Sequence, residues 1–306
     1  MPYLPEKEFS LKRFFRRLLG YEKADSAVTA PLSEQQIQAI LSNKGLEMEL
    51  PQLISACGQS IGKQRDTNED CLFAFTATIG GPRGNVPFGL YIVADGMGGH
   101  QDGEIASNAA IRVFAGNVVR KFTSYLFGLP PQMIDESLQE IMLGAMNEAH
   151  YTIQRQVPGS GTTLTAALVL GQQMTIAHVG DSRAYLLYPD GRLDLLTRDH
   201  SLVKRLEELG QLTAAEAAMS PHRNVLIRAL GQGDSVEPDV FTLPFPPGGI
   251  ILLCSDGLWG VVTENDMQRV ILETPVLARA CYNLVSAANT AGGPDNISVI
   301  LAQIVG

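Results

Sequence analysis

FGLYIVADGMGGHQDGE, residues 88–104, joins an almost wholly apolar run to a segment of bare backbone and negative charge. From Val93 to Glu104 there are four glycines and three acidic side chains in twelve positions. The apolar part has the length and composition of a strand buried on both faces. The same kind of run recurs at TTLTAALVL (162–170), MTIAHVGD (174–181), AYLLY (184–188), GIILLCSD (249–256) and ISVILAQIV (297–305). GQQ (171–173) and PDG (189–191) have the composition of hairpin turns, so neighbouring strands pair antiparallel. Helices are expected over 104–118, 133–155 and 276–290. The middle one places Ile134, Leu138, Ile141, Met142, Ala145, Met146, Ala149 and Ile153 on one face. Strands buried on both sides together with amphipathic helices predict stacked sheets covered by helices, an α+β fold.

The composition is globular: 306 residues, 45% hydrophobic and 18% charged, are ample for a sizeable core. A net charge of −9 argues against nucleic acid as a partner, because phosphate would be repelled. Cys57, Cys71, Cys254 and Cys281 form no CxxC pair and read as core thiols of a reducing cytosol, neither disulfides nor zinc ligands. No apolar run approaches the roughly 20 residues that span a bilayer, and no signal-peptide core stands at the start. The expectation is a cytoplasmic monomer.

Residues 1–20 differ from the rest. They hold five basic and two acidic side chains of the 23 and 32 in the chain, so the head is net positive on an acidic protein. Phe9, Leu11, Phe14, Phe15, Leu18 and Leu19 at helical spacing flank Lys12, Arg13, Arg16 and Arg17. Such a stretch docks a membrane surface or a partner protein, or packs as a terminal helix on its own domain. LSEQQIQAILSN (32–43) reads as a second short helix capped by Ser33. The chain thus divides into an N-terminal extension, 1–50, and a main domain, 51–306.

Five acids fall at the ends of apolar strands. Asp95 follows LYIVA, Asp181 follows TIAHVG, Asp256 follows IILLCS, Asp70 precedes CLFAF and Asp295 precedes NISVILAQI. Each taken singly has an ordinary explanation as a turn former or helix cap. If all five strand ends meet on one rim, their repulsion must be offset by cations. Neither HExxH nor a Cys/His cluster with zinc spacing occurs, and all-oxygen ligands select Mg²⁺ or Mn²⁺. A group this large suggests two or more ions, the arrangement used for phosphoester hydrolysis. The glycines fit in part: Asp-Gly at 95–96 and 256–257 lets the chain turn past a ligand and leaves a bare carbonyl. Dinucleotide binding is the rival, but the turn from Gly96 lacks the last glycine of GxGxxG, and no GxxxxGK[ST] occurs.

RDTNED (65–70), VADGMGGHQDGEIAS (93–107), GSGTTLTAALV (159–169), IAHVGDSRAYLL (176–187), LTRDHSLV (196–203), LIRALGQ (226–232), CSDGLWGVV (254–262) and GGPDNISVIL (292–301) resemble the ordered motifs of the metal-dependent type 2C protein phosphatases, the PPM family, in their bacterial form. The resemblance spans 51–306. It implies a four-layer αββα sandwich of two antiparallel sheets flanked by helices, with a flap over about 201–225. It also implies phosphorylated proteins as substrates, hydrolysed at phosphoserine and phosphothreonine by a hydroxide bridging two Mn²⁺ or Mg²⁺ ions. Asp95 would bridge those ions. Asp70 and the Gly96 carbonyl would serve one side, Asp256 and Asp295 the other. Asp181 would hold a third, weaker ion with Asp256. Arg65 matches the phosphate-clamping arginine. Animal members carry histidine directly after the Asp-Gly pair, where this chain has Met97. His100, three residues on, is either a proton donor to the leaving group or a helix-entry residue. His200 is expected at the flap hinge, and Cys254 and Ser255 take no covalent role. The alternative from another class is a non-catalytic phosphoprotein-binding regulator of the same fold. The full acidic set argues against it.

Overall fold

The computed structural model describes residues 51–81, 84–98, 101–127 and 135–305. The basic head, the helix expected over 32–43 and His100 lie outside the described residues. Packing divides the chain into units Met1–Glu47 and Met48–Gly306, and every element named here belongs to the second.

The strands are β1 (Gln52–Ser60), β2 (Asp70–Gly81), β3 (Gly84–Met97), β4 (Gly161–Thr162), β5 (Leu164–Leu170), β6 (Gln173–Val179), β7 (Arg183–Leu187), β8 (Leu193–Leu195), β9 (Asp239–Pro244), β10 (Ile250–Cys254) and β11 (Ile297–Val305). The helices are α1 (Gln101–Phe127), α2 (Leu138–Gln156), α3 (Leu202–Glu208), α4 (Ala214–Met219), α5 (Asp256–Trp259), α6 (Glu264–Glu273) and α7 (Leu277–Thr290). One sheet runs β1-β11-β10-β7-β8 and the other β2-β3-β5-β6-β9, with β4 paired to the end of β3. The ladders are antiparallel, as the hairpin turns predict.

Strand parity explains why these strands are apolar throughout. On β3, Leu90, Ile92 and Ala94 pack with Phe114 and Val118 of α1 and Met142 and Met146 of α2. The alternate residues Tyr91 and Val93 face Ala167, Leu186, Ile251, Leu253 and Ile300 between the sheets. On β10, Leu252 and Cys254 turn instead toward Met267, Ile271 and Leu284 of α6 and α7. Three apolar layers therefore hold four structural layers together, the αββα sandwich. Each fully buried large aliphatic side chain contributes about 1.5–3 kcal/mol.

Element boundaries differ from expectation in identifiable ways. TTLTAALVL is interrupted at Thr163, between β4 and β5. The helix placed at 104–118 runs on to Phe127, because no proline occurs before Pro130. That placed at 133–155 begins at Leu138, where Ser137 and Glu140 form a reciprocal capping box. The four cysteines are free, but Cys57 is exposed on edge strand β1 and so is no core thiol.

Candidate active site

Parity also sends acids to one place. Asp70 and Asp95 are register partners at the end of the β2–β3 ladder. Like charges directly opposite on one face of a sheet are destabilising. Asp95 continues the Tyr91, Val93 series and Asp70 the face of Leu72, so both look into the gap between the sheets at its open end. Asp181 follows β6, Asp256 opens α5 just after β10, and Asp295 precedes β11.

A cavity of about 370 Å³ collects them: Arg65, Asp95, Gly96, Asp181, Asp256 and Asp295 line it. Asp70 stands behind this wall, 7% exposed, with its Oδ2 accepting from Ser255 Oγ at 2.7 Å. Asp66 and Glu69 of the RDTNED segment add further negative charge to the lining. From the flap region come Asn224 and Leu226, which the sequence had not singled out.

The electrostatics are severe. Burial, reinforced by Asp256 and Asp295 and opposed by the Ser255 hydroxyl, pushes Asp70 up to about 7. Burial and the charges of Asp70, Asp256, Asp181 and Asp295 hold Asp95 well above the carboxylate range. Asp256 rises to about 6 through burial and Asp295, opposed by the neighbouring Asp95 side chain and by Arg65 and Arg223. Asp181 is raised well above the carboxylate range by burial, then by Asp256 and Asp199, against the pull of Arg183. Arg65 Nη2 donates to Asp295 Oδ2 at 2.7 Å, and that bond raises the pKa of the guanidinium.

Two observations test whether a cation fits. Among the described residues, the buried side-chain polar atoms without a hydrogen-bond partner are Asp70 Oδ1, Asp256 Oδ1 and His150 Nε2. Two of the three are carboxylate oxygens of this site, and an uncompensated buried carboxylate is costly. Among the described residues no three His, Cys, Asp or Glu side chains are gathered tightly enough to hold an ion by themselves. The oxygen donor set fits Mg²⁺ or Mn²⁺.

The site is braced by groups that hydropathy patterns do not reveal. Thr163 Oγ1 accepts from Asp95 N at 2.9 Å, and Thr162 Oγ1 donates to Asp95 O at 2.8 Å. Asn296 pins the segment carrying Arg65, accepting from Glu69 N at 2.8 Å and donating to the Ile61 and Thr67 carbonyls, each at 2.9 Å. Ser255 caps α5 by position and bonds to Asp70, so it does more than fill a strand end. Burial pushes the Cys254 thiol up to about 12, which leaves it inert at neutral pH.

The glycines after Asp95 and Asp256 serve close packing and not the turns expected of them. The chain does not turn at Gly96, since β3 runs on to Met97. A Cβ there would lie 2.1 Å from the Gly103 carbonyl oxygen. Gly257 lies inside α5, where a Cβ would stand 1.9 Å from the Asn296 carbonyl oxygen. Both glycines are required by close backbone approach. Gly98, at φ +139°, is the one that needs glycine's backbone freedom.

The sequence profile described as Protein phosphatase 2C matches residues 56–297. The chain belongs to the protein phosphatase 2C family. The serine/threonine phosphatase stp of Listeria innocua is 39% identical to it over 219 residues, which is 70% of this phosphatase and 84% of the relative. Protein phosphatase PhpP of Streptococcus pneumoniae is 32% identical over 254 residues, 80% of this chain and 94% of that one. The crystal structure of the Mycobacterium tuberculosis serine/threonine phosphatase PstP/Ppp superposes with a TM-score of 0.70 at 32% identity, covering 83% of this chain and 100% of that chain. A structure of the PstP catalytic domain in complex with 2 manganese ions gives 0.69 at 32% identity, covering 84% and 100%. The phosphatase is thus a serine/threonine phosphoprotein phosphatase, a phosphoric monoester hydrolase. Among the described residues no helix is long and apolar enough to cross a membrane.

Proposed function

We propose that this phosphatase hydrolyses phosphoserine and phosphothreonine in proteins with Mn²⁺ or Mg²⁺ held by Asp95, Asp256 and Asp295, by the Gly96 carbonyl, and by Asp70 from behind. Asp181 would take a further ion with Asp256. The observation that carries this reading is the Asp70–Asp95 register pair, with Asp70 Oδ1 and Asp256 Oδ1 unpartnered nearby. When bound, such ions acidify water and neutralise phosphoryl charge, so that water attacks phosphorus directly and no nucleophilic side chain is needed.

The protein's own groups do the rest. Arg65 reaches the cavity with a planar fork that suits two phosphate oxygens. Thr162 and Thr163 hold the Asp95 backbone on both its polar atoms, which fixes the carboxylate against the charges around it. Asn224 and Leu226 wall the cavity from the flap side. His100 is the candidate donor of the proton for the leaving seryl or threonyl oxygen, the alternative being a helix-entry residue with no chemical duty. In this reading 51–306 is the catalytic domain, 201–225 its flap and 1–50 an extension whose basic head either docks a membrane surface or partner or packs as a terminal helix on its own domain.

Hydrolysis of phosphoserine and phosphothreonine peptides, titrated with Mn²⁺, tests the proposal. Activity should rise with metal and stop on chelation, and Asp95→Asn should lower turnover by about 10²-fold or more while circular dichroism stays unchanged. Turnover that survives exhaustive chelation refutes it.

A further inference from the structure

The phosphatase has a single tryptophan, and it sits between two of the acids. Trp259 is the last residue of the four-residue helix α5, whose first residue is Asp256. Its indole Nε1 donates to the Asp181 carbonyl at 3.0 Å. A partly buried indole N–H finds such a partner wherever the fold offers one, and here the partner belongs to Asp181, which lines the same cavity as Asp256. One short helix therefore ties the Asp181 backbone to Asp256.

The ring face has a second occupant. The Arg183 guanidinium carbon lies 3.6 Å above the centre of the Trp259 ring. Arg183 Nε and Nη2 clamp Asp199 Oδ1 and Oδ2 at 2.9 and 2.7 Å, and Nη1 reaches the Tyr185 hydroxyl at 3.0 Å. Both partners are largely buried, with side chains 18% and 9% exposed, so this ion pair is little screened by solvent. Next along the chain, His200 N donates to the Gly180 carbonyl at 2.7 Å, and Ser201 Oγ caps α3 at the root of the flap. The turn 180–183 is thus gripped by the indole on one side and by the flap root on the other.

We propose that Trp259 is a positioning residue for metal binding at Asp181 and Asp256: its N–H holds the Asp181 backbone while its ring seats the arginine that clamps the flap root. The proposal rests on the metal site described under Proposed function. Loss of one neutral hydrogen bond is worth about 0.5–1.5 kcal/mol, which converts to about a 2- to 12-fold weakening of the weaker class of ions. The tighter class, held mainly by Asp95, Asp256 and Asp295, should not move.

Calorimetric titration of the full chain with Mn²⁺ tests this, comparing wild type, Asp181→Asn and Trp259→Phe. The phenyl ring keeps a face for Arg183 and loses only the N–H. Weaker-class affinity lowered about 2- to 12-fold in Trp259→Phe, with the tighter class unchanged, supports the proposal. Wild-type affinity in Trp259→Phe, alongside loss of the weaker class in Asp181→Asn, overturns the proposal and leaves the metal site standing. A titration that Asp181→Asn leaves untouched overturns both the proposal and the assignment of an ion to Asp181. Should Trp259→Phe fail to fold by circular dichroism, the wild-type tryptophan emission decides, with Mg²⁺ as the probe. An emission shift that saturates with the weaker class and is absent from Asp181→Asn supports the proposal, and flat emission overturns it.

Discussion

Replacing Asp70 by asparagine should stabilise the metal-free phosphatase at neutral and alkaline pH, although Asp70 is a buried, hydrogen-bonded residue. Its carboxyl is pushed from 3.8 to about 7 by burial and by Asp256 and Asp295. A carboxyl raised in the folded state binds protons there that the unfolded chain has already released. Its contribution to stability is therefore most favourable below about pH 4, falls as pH rises, and levels off above about pH 7. At 1.36 kcal/mol per pH unit the full cost at pH 8 is about 4 kcal/mol. Asparagine cannot ionise, and its amide oxygen can still accept from Ser255 Oγ. The metal-free variant should thus exceed wild type by about 2–4 kcal/mol at pH 8 and by little at pH 4. Mn²⁺ should reverse the order, because wild type gains stability in proportion to its affinity and the variant binds less tightly. Urea unfolding of chelated and Mn²⁺-loaded protein at both pH values measures all of this. A chelated variant no more stable than wild type at pH 8 would refute the crowding of carboxylates from which the cation was argued.

Ser255→Ala removes the hydroxyl that orients Asp70 and should weaken Mn²⁺ binding by about 10- to 100-fold in calorimetry, with little change in fold. Arg65→Ala should raise KM for a phosphopeptide more than it lowers kcat, and a normal KM in steady-state kinetics would remove it from the phosphate's path. Gly96→Ala places a methyl group 2.1 Å from the Gly103 carbonyl oxygen, so α1 must shift. Thermal melting should show a loss of about 1–3 kcal/mol or more, and activity should fall with it.

The apolar runs of β3, β5, β6, β7, β10 and β11 could be read from sequence because a strand buried on both faces must be apolar at every position. α2 was legible from its 3.6-residue stripe. β1, β8 and β9 were not read as strands. QLISACGQS mixes glycine and polar residues with apolar ones, β8 has three residues, and all three are edge strands, of which β1 and β9 pair with strands distant in the chain. The candidate site divides in the same way. Acids after apolar runs could be counted, and the order of motifs named the family. The bonds from Thr162, Thr163, Ser255 and Asn296 could not be foreseen, because each joins segments whose approach depends on the whole sandwich.

What the sequence by itself determined is the chemistry available: five carboxylates at strand ends, one arginine ahead of them, glycines beside them and apolar strands to bury their flanks. Only the tertiary structure decided which acids oppose each other, which oxygens lack partners, and that Gly96 and Gly257 answer to neighbouring carbonyls and not to turns. The reason is physical. Composition and periodicity are properties of neighbours along the chain, whereas repulsion, desolvation and steric exclusion depend on distances that exist only once two sheets have closed on one another.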